Sequence, residues 1–126
     1  MIEDNVYKEV EMTRALKNLA ITEIKVAADK ESALTCLEKE NFDLILLDMF
    51  FPETKGGWEE PWCGFKVLDW MVEQKKNIPV ICTSTVRTNL FAYDFCVGQL
   101  LYQQDDTAFR LKELIDQIPY LFGENA

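Results

Sequence analysis

Two kinds of apolar patterning alternate along the chain. Short unbroken runs, LILLD at 44–48 and IPVICTS at 78–84, suit parallel strands buried on both faces, while EIKVAA at 23–28 and the weaker VGQLLY at 97–102 are shorter strand candidates. Between them apolar residues recur at helical spacing. Residues 5–20 carry Val6, Val10, Leu16 and Leu19 behind a cap at Asn5, and residues 30–40 carry Ala33, Leu34 and Leu37. GFKVLDWMVEQKK, at 64–76, places Val67, Leu68, Met71 and Val72 on one face and ends in lysines, which favour a helix C-terminus. TNLFAYDF at 88–95 predicts a short helix. A last helix begins after Asp105 or Asp106, uses Phe109, Leu111, Leu114, Ile115 and Ile118 as its apolar face, and stops near Pro119.

Strands alternating with amphipathic helices predict an α/β fold with a parallel sheet and right-handed crossovers. Such sheets place their sites beyond the C-terminal strand edge. Asp48 and Ser84 both end predicted strands and would face one crevice. By itself Asp48 reads equally as a polar cap to a buried strand or as the centre of a chemical site, and Ser84 as a solvated hydroxyl or as its companion.

Composition narrows the chemistry. The 126 residues suit one domain, 1–126, and no apolar run approaches the length needed to cross a bilayer. The acidic opening MIEDNVYKEV lacks an apolar signal region, so a soluble cytoplasmic protein is expected. Lys and Arg number 13 against 22 Asp and Glu, a formal charge of -9 that opposes direct nucleic-acid binding. There is no histidine, which excludes Ser-His-Asp and Cys-His machinery and imidazole-based zinc sites. Cys36, Cys63, Cys82 and Cys96 are too widely spaced for CxxC chemistry and are expected to be reduced, structural thiols.

Four stretches together resemble the receiver domain of two-component response regulators: Ile2-Glu3-Asp4-Asn5, DLILLDMFFP at 43–52, Gly64-Phe65-Lys66-Val67-Leu68, and Ile78 through Ser84. The resemblance implies a flavodoxin-like fold with strand order 2-1-3-4-5. It implies Asp48 as phosphoacceptor, Glu3 and Asp4 as the acidic pair, and Mg²⁺ held by Glu3, Asp4, Asp48 and the backbone carbonyl of Phe50. Ser84 matches the hydroxyl that bonds the phosphoryl oxygen. The implied donor is a histidine kinase or phosphotransfer protein, consistent with a chain that has no histidine of its own.

Three departures and one addition stand out. Gln103 and Gln104 fall where the family has a lysine that pairs with the phosphoacceptor. The switch aromatic aligns with Leu100, with Tyr102 and Phe95 in another register. Only Met1 and Ile2 precede the acidic pair, so the central first strand is expected to be truncated or replaced: by a start further upstream, by a sheet that closes differently, or by a second chain in a homodimer. Rearrangement would place Glu3 and Asp4 in the first helix. The addition is a long loop at about 53–63, where Trp58 and Trp62 either fold onto the domain's own core or form a lid or partner contact.

Two functions follow. One is a stand-alone, non-enzymatic signalling domain that accepts a phosphoryl group on Asp48 and acts through a downstream protein partner. The other is a phosphorylation-independent pseudo-receiver, an interaction module. A flavodoxin-type cofactor protein is disfavoured, because VYKEVE after Asn5 suits a helix and not a phosphate-binding loop.

Overall fold

Strand β1 (Ile45–Leu47), strand β2 (Val80–Cys82) and strand β3 (Cys96–Gln99) form a parallel sheet in that order, in a computed structural model that describes residues 1–118. Ile45 pairs with Val80 and Leu47 with Cys82, and the β2–β3 register shifts between Val80 and Ile81. Every residue of β1 and β2 is buried, as expected for strands covered on both faces. Their alternating side chains feed two layers. Ile45, Leu47, Val80 and Cys82 join Ala33, Leu37, Val67, Leu68 and Met71 in one. Leu46 and Ile81 join Met12, Ala15, Leu16, Leu111, Leu114 and Ile115 in the other.

The short N-terminal segment does occupy the central place in the sheet. Ile2 pairs in parallel with Leu47 on one side and Ala27 on the other. The Ile2 amide donates to the Leu46 carbonyl (2.8 Å), the Ala27 amide to Met1 (2.9 Å), the Glu3 amide to Ala27 (2.9 Å) and the Asp48 amide to Ile2 (3.1 Å). The segments therefore run 2-1-3-4-5 across the sheet. Neither a rearranged sheet nor a second chain is needed to seat residues 1–3, and Glu3 and Asp4 lie ahead of the first helix. The expected strand at 23–28 shrinks to the single pairing at Ala27, since its neighbour offers only three residues to bond against.

Helix α1 (Val6–Asn18) starts as expected, the Asn5 side chain accepting from the amides of Tyr7 and Lys8 at 3.0 and 3.1 Å. Its inward face differs from the expected one. Val6 and Val10 are 65% and 51% exposed, and Lys8, Met12, Ala15 and Leu16 are buried in their place. Helix α2 (Lys30–Lys39), capped by Asp29, packs on helix α3 (Cys63–Glu73), while α1 packs on helix α4 (Thr107–Ile115), capped by Asp106. Val72 and Phe109, assigned to apolar faces by spacing, are exposed. Helix α4 ends at Ile115, and Pro119 lies outside the described residues.

No helix forms at 88–95. The Asn89 side chain accepts from the Phe91 amide (3.0 Å), and the Gln99 side chain bonds the Thr88 amide (2.9 Å) and the Val86 carbonyl (2.6 Å). The local Asn89 bond and the two bonds reaching from Gln99 on β3 compete with a helical backbone and hold the segment as turns. The long loop closes on its own base through an antiparallel pairing of Phe51 with Glu60 and ion pairs from Lys66 to Glu53 and Glu60. Trp62, at φ 61°, sets its ring 4.9 Å from Phe50 and 6.0 Å from Phe65, whereas Trp58 is 94% exposed. Cys63 and Cys82 are buried thiols, and all four cysteines are unpaired. Among the described residues no helix is long and apolar enough to cross a membrane.

Gly64 lets α3 approach the end of β1. A Cβ there would sit 2.6 Å from the Asp48 carbonyl oxygen and 2.7 Å from Met49 Sδ. Gly64→Ala is expected to lower stability by about 1–3 kcal/mol in urea denaturation, the usual cost of overpacking. Gly98→Ala, whose Cβ would meet only the flexible end of Leu114, is expected to cost less.

Candidate functional site

Because the N-terminal segment and β1 are adjacent and parallel, their C-terminal ends deliver Glu3, Asp4 and Asp48 to one point. One carboxylate oxygen from each lies within 4.8 Å of the others. They border a cleft of about 190 Å³ whose walls also include Lys8, Phe50, Glu59, Thr85, Tyr102 and Gln103. This is the switch-point position at which open parallel sheets hold ligands.

The floor of the cleft is unusually buried for so charged a site. Glu3 and Lys8 are 2% and 4% exposed, and Asp48 is 7% exposed. Lys8, in the first turn of α1, puts its Nζ 2.7 Å from Glu3 Oε1 and 3.3 Å from Asp48 Oδ1. The ammonium also lies 5.3 Å from the centre of the Tyr102 ring, within reach of a cation–π attraction. Glu3 Oε2 accepts from the Asn5 amide at 3.0 Å. Oε1 faces Lys8 at ion-pair distance but off the direction of a hydrogen bond, so this buried oxygen keeps unused accepting capacity.

Burial raises the Glu3 carboxyl to about 7, and the Asp48 charge adds to the effect against the opposing pull of Lys8. Asp4 is raised chiefly by desolvation, as is Glu59, on which the charges of Asp4 and Asp48 also act. Crowded carboxylates of this kind suit a hard divalent cation that takes oxygen ligands. With Glu3 ionised, three carboxylates face a single ammonium and the site is net negative before the exposed Glu59 is added. The donor set therefore fits Mg²⁺.

Ser84 is placed differently from its neighbours. It is fully buried, its Oγ accepting from the Val86 amide at 3.3 Å, and Thr85 is the hydroxyl residue on the cleft wall. Gln103 does reach the cleft, in a left-handed backbone conformation (φ 68°), and Gln104 donates from Nε2 to the Thr85 carbonyl at 2.8 Å. Phe50 lines the cleft. Trp62 packs against Phe50 at a tilt and Trp58 stands free in solvent, so the loop contributes Glu59 to the site and not a tryptophan. Lys8, Glu59 and Thr85 were not singled out by sequence, and Tyr102 was noted only as an aromatic out of register with the switch position. For Lys8 a signal existed: it shares a helical stripe with Met12, Ala15 and Leu16, an apolar face into which a lysine fits only if it finds a buried partner.

Comparison with curated protein sequences finds no match. Among solved structures, the signal receiver domain of a putative Luxo repressor protein from Vibrio parahaemolyticus is similar at 21% identity, over 92% of this chain and 84% of that one, with a TM-score of 0.73. A CheY-like response regulator receiver domain protein from Methanospirillum hungatei superposes with a TM-score of 0.68 at 16% identity, over 93% and 89% of the two chains. The response regulator TrrA from Thermotoga maritima, solved in complex with Mg²⁺ and BeF, matches at 21% identity over 90% and 94%, with a TM-score of 0.65. The model of the response regulator receiver domain matches residues 1–96. With that match over most of its length and the same fold in its structural neighbours, the chain belongs to the response regulator receiver domain family of two-component signalling.

Proposed function

We propose that the protein accepts a phosphoryl group on Asp48 from the phosphohistidine of a kinase or phosphotransfer partner and signals by presenting an altered surface to a downstream protein. The observation that carries this reading is the convergence of Glu3, Asp4 and Asp48 at the C-terminal edge of the parallel strands. In the transfer, an Asp48 carboxylate oxygen attacks phosphorus in line. The O–P bond forms as the donor's P–N bond breaks, and that electron pair leaves on the imidazole.

A carboxylate is a weak nucleophile, so the catalytic work is placement and charge neutralisation. Mg²⁺ bound by Glu3, Asp4, Asp48 and the Phe50 carbonyl would supply much of that neutralisation when present. The chain's own residues supply the placement. The Asp48 amide bond to Ile2 and the tight contact of Gly64 with the end of β1 fix the acceptor's backbone. The route outward runs through the turn after β2: Ser84 Oγ holds the Val86 amide, the Val86 carbonyl accepts from Thr88 Oγ and Gln99 Nε2, and exposed Val86 and Phe91 lie beyond. Engagement of Ser84 or Thr85 by a phosphoryl oxygen would loosen that chain of bonds.

Gln103, where a cation is expected, favours the second reading, a pseudo-receiver that binds partners without phosphochemistry. The two separate cleanly. With Mg²⁺, acetyl phosphate is expected to add a phosphoryl mass to the wild type and none to Asp48→Asn in intact mass spectrometry. The beryllofluoride adduct is expected to form in wild type only, detected by fluorescence of Trp62 beside Phe50. Absence of any adduct in the wild type selects the pseudo-receiver.

The Glu3 shift sets a pH dependence. Its folded-state value is above its ordinary 4.5, so the folded protein binds the extra proton, and stability falls as pH rises from about 4.5 to about 7. The urea midpoint is expected to drop across that window, less so in Glu3→Gln, and Mg²⁺ is expected to recover stability above it.

A further inference from the structure

A second feature of the cleft concerns how the phosphoryl charge is met. Gln103 can donate hydrogen bonds but carries no charge, and Lys8 is the sole cationic residue lining the cleft among the described residues. Its position is built and not incidental. The Asn5 cap fixes the first turn of α1, Met12, Ala15 and Leu16 anchor the same helix face in the core, and Tyr102 backs the ammonium. Burying a lysine this deeply is costly unless it is paired, so a helix whose exposed positions include Val6 and Val10 has been turned to keep it inside.

We propose that Lys8 is the site's resident cation for phosphoryl transfer, reaching from the start of α1 to do the work that Gln103 cannot. The inference rests on Asp48 being the phosphoacceptor. In the resting state Lys8 Nζ is shared between Glu3 Oε1 and Asp48 Oδ1, at 2.7 and 3.3 Å. When the O–P bond forms on Asp48, the new phosphoryl oxygens appear within reach of the same ammonium. Lys8 then exchanges its off-axis contact with Glu3 for a charge-assisted bond to phosphate, and no proton need change hands. Glu3 Oε1 is thereby released as an oxygen ligand at the moment the site carries most negative charge.

The test compares acetyl phosphate labelling, read by intact mass, in wild type, Asp48→Asn, Lys8→Met, Lys8→Arg and the double variant Lys8→Met with Gln103→Lys. Lys8→Met is expected to slow labelling on the order of 100-fold, the scale seen when one charge-stabilising donor is removed. Lys8→Arg is expected to retain part of the rate, and the double variant to recover it by returning a cation from the opposite wall. Mg²⁺ affinity, measured by calorimetry, is expected to hold or tighten in Lys8→Met, since a competing positive charge is gone; a weakened affinity would point to a collapsed site and overturn the assignment. Labelling of Lys8→Met at the wild-type rate also overturns it while leaving Asp48 as acceptor, whereas an unlabelled wild type removes both readings. Should Lys8→Met fail to fold, the side-chain ammonium resonance of Lys8 in the wild type decides: it is expected to shift on adding beryllofluoride with Mg²⁺, and an unmoved resonance counts against the proposal.

Discussion

The ion pairs that Lys8 makes with Glu3 and Asp48 join the three parts on which the rest of the structure depends. Glu3 belongs to the N-terminal segment at the centre of the sheet, Asp48 to the end of β1, and Lys8 to α1. Each would be expensive to bury alone, and removing one member of such a buried set typically costs about 3–5 kcal/mol because it strands the others. The interaction therefore settles both the rotation of α1 and the seating of a first strand that pairs through a single residue. Stability here is tied to the chemical site, and Glu3, raised to about 7 mainly by burial, reflects how far that carboxyl is taken from water.

Much of the fold was legible because the strongest signals are physical necessities. LILL and IPVIC have no polar face to offer water, so they could only be strands covered on both sides, and Asn5 and Asp106 mark helix starts by the amides their side chains cap, with Lys75 and Lys76 falling just past the end of α3. Asp48 was legible as a strand-end acid. What escaped had competing causes. The face of α1 was misread because Val6 and Val10 outrank Lys8 on hydrophobicity, and only the fold shows two acids waiting for that lysine. The expected helix at 88–95 failed because Asn89 and Gln99 bond the backbone locally, a choice that depends on Gln99 being eleven residues away on β3. Ser84 was in register with a hydroxyl at the site, yet its Oγ turned to the Val86 amide and left Thr85 on the wall.

The long loop and the turn after β2 give the cleft two walls of different character. The loop is pinned at its base by Lys66 with Glu53 and Glu60 and by the tilted contact of Trp62 with Phe50, so Glu59 is held near the acidic cluster while Trp58 projects outward. The turn is anchored further along, where Leu90 and Tyr93 pack against the core and the Tyr93 hydroxyl donates to Asp69 at 2.7 Å, but its first residues are held otherwise. Its bonds run through side chains that can exchange partners, Ser84, Thr88 and Gln99 among them. On the proposed function, a change at Asp48 would act first on these exchangeable bonds, next to β3 and exposed Phe91.

That asymmetry bears on why a cation supplied from α1 is a workable arrangement. On the proposed function, a lysine on the loop after β3 would tie the phosphoryl group to the wall that carries the output, making charge neutralisation and output one event. A lysine on α1 approaches from a helix held by the Asn5 cap and by Met12, Ala15 and Leu16 in the core. The ammonium can then move from Glu3 to the phosphoryl oxygens without displacing backbone, while Gln103, neutral and in a left-handed conformation, leaves the β3 loop free of a strong electrostatic tie to the site. On that reading the cation comes from a helix anchored in the core, and Gln103 would contribute hydrogen bonds alone.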